Sequence, residues 1–280
     1  MRAAVIGATG ILGGHLIPRL IERGHRVSAV ARTAAKRAAL ERLGVVVFEG
    51  DILDRASLAP ALTGADVAFH VATVIPRAGP SPDRSPNDRV RREGTETLIA
   101  ACRDAGVRRY VQQSIAHLLA AGDDRLVDED APLHPTPVAQ SAVDMEVSVR
   151  RSGLDWIIVR GGMFYGPGTG RERQWREAAR HGSLPLPGVG SAYISLIRVA
   201  DMASACVLAA ERAAPGSVLA AVDDAPIAFR ELLGHIAALE NAPPPSPGGP
   251  AIRSCRVSNA RIKAALSWTP FYRTYRSGLA

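Results

Sequence analysis

Short β-branched apolar runs alternate with longer stretches of helical spacing through the first half of the chain. Residues 3–6, 27–30, 45–48, 67–71, 110–113 and 156–159 are predicted strands, apolar along their length instead of alternating, as in a sheet covered on both faces. Between them, residues 11–23, 34–43, 90–105 and 138–151 repeat apolar positions at three- and four-residue intervals and are predicted helices. Gly24, Gly44, Gly106 and Gly153 follow these four helices, where a left-handed residue closes a helix at least cost. Strand and helix in regular alternation predict an α/β fold with a doubly wound parallel sheet.

Three stretches interrupt the alternation. Residues 76–86, with four prolines, form a long surface loop after the fourth strand, either a lid or plain surface. Residues 161–190 are rich in Gly, Pro and Arg and are where substrate-binding insertions would sit, and residues 243–250 are a proline-rich connection before a last helix. The expected organisation is a nucleotide domain over 1–160, with 191–215 packing back onto it. Residues 161–190 and 216–280 would form a smaller C-terminal substrate-binding lobe.

The first strand runs into Gly7-Ala8-Thr9-Gly10-Ile11-Leu12-Gly13, which opens the first helix. Glycines at this spacing permit a tight turn, close backbone approach to a pyrophosphate and close packing of helix on strand, while the helix N-terminus favours an anion. This context makes the fold Rossmann-type, with Gly7, Thr9, Gly10, Ile11, Leu12 and Gly13 at the cofactor. After the second strand, where NAD enzymes offer an acid to the ribose hydroxyls, stands Arg32, followed by Lys36 and Arg37. A guanidinium suits a 2′-phosphate and a carboxylate repels it, so NADP(H) is expected over NAD(H). Alternatively, Arg32 simply begins a solvent-facing helix.

With these motifs in order, the chain resembles the short-chain dehydrogenase/reductase superfamily, in its extended or atypical branch of NAD-dependent epimerase/dehydratase-like proteins. Besides the glycine loop, Gly50-Asp51 with Ile52 resembles the adenine-side segment, and His70-Val71-Ala72 the strand end that lines the cofactor. Glu93-Gly94-Thr95, Phe164-Tyr165-Gly166-Pro167-Gly168, Arg198-Val199-Ala200-Asp201 and Leu266-Ser267-Trp268-Thr269-Pro270 with Ser277-Gly278-Leu279 extend the similarity over nearly the whole length. The resemblance implies an NAD(P)-dependent oxidoreductase or epimerase/dehydratase-like enzyme acting on a small molecule. It also implies a homodimer.

One departure outweighs the matches. The resemblance calls for a Tyr that exchanges a proton and a Lys four residues later that lowers its pKa. Aligned on Ser141 and Glu146, those positions hold Val138 and Ala142, and no tyrosine in the chain is followed by a lysine at that spacing. Val138, Ala142, Met145 and Val149 instead read as one apolar helix stripe. Remaining candidates for chemistry are Ser114 at the end of the fifth strand, Tyr165 in the glycine-rich segment and His117 near Ser114. Each has an ordinary alternative: a turn serine, a pocket-wall aromatic and a surface histidine. Asp144 and Glu146 are expected as solvated or dimer-rim carboxylates. Arg198 could bind an anionic group, and Arg173, Arg176 and Arg180 share a helix face as a basic surface.

Composition narrows the partners. The net charge of +7 comes almost wholly from dispersed Arg, since Lys occurs only at Lys36 and Lys263, and no aromatics interleave with a dense basic run. Nucleic acid is therefore not expected. Cys102, Cys206 and Cys255 are too scattered for a disulfide framework or metal cluster, so no metal and a reducing, cytoplasmic setting are expected. No apolar run is long enough for a membrane span. The leading expectation is an NADP-binding enzyme for a small apolar oxygenated metabolite, by unusual hydride transfer or by isomerisation, dehydration or cyclisation. The alternative is a non-catalytic, cofactor-sensing regulator resembling NmrA-like proteins. A Ser114/His117 hydrolase lacks the Gly-x-Ser-x-Gly elbow.

Overall fold

The computed structural model describes residues 1–75 and 83–279. In chain order the first elements are β1 (Arg2–Ile6), α1 (Ile11–Glu22), β2 (Arg26–Ala31), α2 (Ala34–Glu41), β3 (Val46–Glu49), α3 (Arg55–Leu62), β4 (Val67–His70), α4 (Ser85–Arg89), α5 (Thr95–Asp104), β5 (Arg109–Ile115), α6 (Gln140–Arg150) and β6 (Asp155–Gly161). There follow β7 (Met163–Tyr165), α7 (Arg171–Arg180), β8 (Pro185–Pro187), β9 (Tyr193–Ile194), β10 (Leu196–Arg198), α8 (Val199–Arg212), β11 (Ser217–Ala221), β12 (Ile227–Ala228), α9 (Phe229–Leu239), β13 (Ser246–Gly249), α10 (Ala260–Leu266) and α11 (Tyr275–Leu279).

All six predicted strands form, and with β11 they make a seven-stranded parallel sheet in the order β11-β6-β5-β4-β1-β2-β3. The chain winds outward from β1 through β2 to β3, then returns to lay β4 on the other side of β1. That reversal opens a crevice beyond the carboxyl ends of β1 and β4, the place where such sheets bind ligands. The predicted doubly wound α/β fold is thus the one observed. The four glycines expected to close helices all have positive φ, between 68° and 81°.

Clustering of contacts divides the chain into two units. The first comprises residues 1–114, 136–159 and 203–218. Its core joins Ile6, Val30 and Ile52 from the sheet side to Leu58, Leu62 and Leu98 from α3 and α5. Full burial of each such leucine contributes roughly 2–3 kcal/mol. The second unit comprises 115–135, 160–202 and 219–280. It holds three two-stranded pairings, β7 with β10, β9 with β12 and β8 with β13, and a core in which Tyr165, Leu196, Leu232, Ile236 and Tyr275 pack together.

Several local readings change. The loop predicted at 76–86 falls largely outside the described residues, which resume at Asp83 and enter α4 at Ser85. The single helix predicted at 90–105 is instead one wide π turn over Val90–Gly94, continuing α4, followed by α5. The helix predicted from Val138 starts at Gln140, because Pro137 sets up a separate 3-10 turn over Pro137–Ala139. The basic helix face is not bare. Arg176 and Arg180, four residues apart on α7, both reach Glu240 at the end of α9, at 2.8 and 2.5 Å.

Candidate functional site

A cleft of about 500 Å³ opens at the switch point in the first unit. Gly7, Thr9, Gly10, Arg32, Lys36, Asp51, Ile52, Val71 and Ala72, nine of the residues expected at the cofactor, line it together. The glycines explain why the walls can come so close. Gly7 has φ +99°, and a Cβ there would lie 2.4 Å from the Ala72 amide nitrogen; one on Gly13 would lie 2.4 Å from the Gly7 carbonyl oxygen. Gly10 is the N-cap of α1, and no side chain caps that end. The N-terminus of α1 therefore begins at a cleft-lining residue and carries no side-chain cap, which leaves its positive end available to an anion. Such a cradle fits a dinucleotide pyrophosphate.

At the far rim, β2 and β3 run side by side, with Ala31 opposite Glu49. Arg32 and Asp51 thus emerge next to each other, Arg32 Nη1 lying 3.8 Å from Asp51 Oδ2. Asp51 is held by its own turn, Oδ1 accepting from the Leu53 amide at 2.9 Å. Sequence reasoning missed the wall supplied by Ser85, Pro86, Arg89 and Val90. Asn87 pins that wall in place, its Oδ1 accepting from the Val74 amide at 3.0 Å. The only sequence signal for it was a helix resuming after the proline-rich loop.

Ile11, Leu12, Gly13 and His70 do not line the cleft. Ile11 is exposed, Leu12 is buried in the packing of α1, and Gly13 sits beneath the turn. His70 is wholly buried with neither ring nitrogen hydrogen-bonded. Burial, only partly offset by the backbone of His70 and Val90 and reinforced by the nearby Arg91 charge, lowers its pKa from 6.5 to about 4. The unfolded chain takes up this proton below pH 6.5, whereas the folded chain refuses it until about pH 4. Stability is therefore intact above 6.5 and falls across that window, by at most about 1.4 kcal/mol per pH unit from this one group. Urea midpoints at pH 7 and pH 4.5 should show a smaller acid loss in His70→Leu than in the wild type. An equal loss would show that His70 is not the group titrating.

Ser114 does not stand free at the strand end. Its hydroxyl donates to Glu146 Oε1 on α6 at 2.7 Å, and the two residues are 1% and 2% exposed. Glu146, expected as a solvated or dimer-rim carboxylate, is thus a buried acceptor, with Arg150 at 3.8 Å. Asp144 does lie near the surface, paired with Arg92. The positions aligned with the Tyr and Lys have opposite environments: Val138 is 50% exposed in its 3-10 turn, and Ala142 is fully buried on α6.

In the second unit, Tyr165 is fully buried and its phenol oxygen has no partner. A Cβ on Gly278 would lie 2.4 Å from that oxygen, so the glycine caps the phenol closely. Burial and the nearby Asp223 carboxyl raise the Tyr165 pKa. Asp223 Oδ2 is likewise buried without a partner, and burial raises that carboxyl to about 8. Arg198 stacks over the Tyr272 ring at 3.9 Å and donates to the Gly278 carbonyl. Burial, then the Arg253 charge, lowers the His117 pKa. Among the described residues no cluster suits a metal ion, and no helix is long and apolar enough to cross a membrane.

A parallel switch-point sheet with a glycine-lined cleft defines a dinucleotide-binding protein, and comparisons with known proteins specify which kind. A family model described as NAD(P)H-binding matches residues 7–210. A 3-diazoavenalumate denitrifying reductase from a Streptomyces species is 36% identical over all of this chain and 99% of its own. A farnesyl-dihydroquinoline-oxide ketoreductase from Stigmatella aurantiaca is 31% identical over 83% of this chain and 71% of its own. The UDP-glucose 4-epimerase of Thermus thermophilus, solved with NAD, shares the fold with a TM-score of 0.81 at 24% identity, over 100% of this chain and 96% of its own. The chain belongs to the NAD(P)H-binding family whose model covers residues 7–210, and it shares its fold with the epimerase. It is an oxidoreductase-like enzyme that uses a nicotinamide cofactor.

Proposed function

We propose that the protein is an NADPH-dependent reductase whose substrate is a small, largely apolar electrophile that needs no proton from the protein as it accepts hydride. A diazonium group is the clearest case. The observation that carries this reading is the loss of proton donors: Val138 and Ala142 cannot titrate, and the Ser114 hydroxyl is given to Glu146. A carbonyl oxygen becoming an alkoxide would go unprotonated here, and a positioned acid is typically worth about 10²–10⁴ in rate. An arenediazonium already carries the positive charge. Adding hydride yields the arene C–H bond and N₂, with charge balanced and no proton consumed. The diazo compound in the name of the Streptomyces relative supports this substrate class.

When bound, the nicotinamide would supply the hydride. The chain's own work is to hold the dinucleotide, through the turn from Gly7 to Gly13 and the uncapped end of α1. Arg32 and Lys36 at the rim favour the 2′-phosphate and hence NADPH. Residues 161–190 and 216–280 would serve as the substrate lobe. The exposed Val138 and Val147 around α6 suit a homodimer contact.

The test is turnover of 4-methoxybenzenediazonium with NADPH deuterated at C4, with NADH and an aryl ketone as comparisons. Anisole carrying deuterium, N₂ release and faster consumption of NADPH than NADH are expected. Equal reduction of the ketone, or anisole without deuterium from either C4 face, would overturn the proposal.

A further inference from the structure

We propose that Asp51 is a specificity-determining residue of the cofactor cleft: its carboxylate holds Arg32 as a counter-ion and thereby limits how strongly the site separates NADPH from NADH. The inference rests on Arg32 as the ligand of the 2′-phosphate.

Three observations place Asp51 in this role. Its carboxylate is not free to turn away, because Oδ1 accepts from the Leu53 amide at 2.9 Å and the Asp51 amide donates to Ser57 Oγ at 3.0 Å. The remaining oxygen, Oδ2, lies 3.8 Å from Arg32 Nη1, and both side chains line the cleft. Lys36, in the first turn of α2 and lining the same cleft, makes no ion pair among the described residues. The rim therefore holds one cation already engaged and one in reserve.

A phosphate dianion arriving at this rim must take Arg32 from Asp51. NADH makes no such demand and leaves the pair intact. The carboxylate thus costs NADPH something that it does not cost NADH, and any contact it makes with the adenine is common to both cofactors and cancels in their ratio. The pair is exposed, 62% and 40% at the two side chains, so the coupling is modest and screened by salt.

Asp51→Asn removes the charge but keeps an oxygen for the Leu53 amide, so the turn survives. Dissociation constants for NADPH and NADH are measured by fluorescence titration of the reduced cofactors at low ionic strength, without substrate. The preference for NADPH should rise about two- to fivefold in Asp51→Asn, the range expected for an exposed ion pair. In the Arg32→Ala background the same substitution should leave the ratio unchanged. An unchanged or lower preference in Asp51→Asn overturns the proposal, as does an equal rise with Arg32 absent, which would mean direct repulsion of the phosphate. A wild type without NADPH preference whose ratio still rises in Asp51→Asn, and only with Arg32 present, would refute the cofactor reading and leave the role of Asp51 standing.

Discussion

Gly10→Val is expected to lose binding of reduced nicotinamide cofactor by about a hundredfold or more, roughly 3 kcal/mol, and still to fold. Gly10 has φ −83° and ψ 176°, which any residue can adopt. A Cβ there meets only the Gly7 carbonyl oxygen, at 3.2 Å, a contact the loop can relax. The added isopropyl group would otherwise stand over the uncapped end of α1, in the space a pyrophosphate must enter. Gly13→Ala is the contrasting case, because its Cβ would lie 2.4 and 2.5 Å from the carbonyl oxygens of Gly7 and Ala8, both backbone atoms. That variant should damage the turn itself. Thermal unfolding followed by circular dichroism, together with NADPH titration, separates the two outcomes. A Gly10→Val protein that binds NADPH normally would remove the glycine turn from the site.

The parts of the site legible in the sequence are those where one residue type answers one physical demand. Gly7 needs a positive φ beside the Ala72 backbone, and no other residue meets both conditions, so the turn could be read directly. The strands could be read because burial on both faces demands apolar runs. Arg32 and Asp51 were each recognisable, but their pairing depends on β2 lying in register with β3, a long-range fact that local patterns do not contain. Ser114 and Glu146 show the same limit. A serine at a strand end and a glutamate on a helix both look polar and exposed until β5 and α6 bring them to 2.7 Å. The pairing of α7 with Glu240 and the wide turn at Val90–Gly94 were hidden for the same reason. The start of α6 was misplaced because Val138 continues the apolar spacing although Pro137 starts a separate turn.

The missing Tyr and Lys cannot be restored by simple replacement, and the two positions should fail differently. Ala142→Lys is expected to destabilise the protein by about 3 kcal/mol or more, whereas Val138→Tyr should stay within about 0.5 kcal/mol of the wild type. Ala142 is fully buried on α6, level with Met145 and Val149 on the packed face. A lysine there must overfill the packing or bury an ammonium, and its pKa would be driven down until the charge is given up. Val138 lies half exposed in the 3-10 turn ahead of α6, where an aromatic ring can extend into solvent. Urea denaturation of the two single variants and the double variant measures the difference. If Ala142→Lys were as stable as the wild type, the site would have room for a lysine, and its absence would not be built into the packing. If it is destabilised as expected, α6 has been repacked around the loss of the couple, and a phenol at position 138 would have no cation beside it to lower its pKa. A carbonyl reductase built on that tyrosine would then lack an effective proton donor, which is why the chemistry assigned to this cleft is one that needs none.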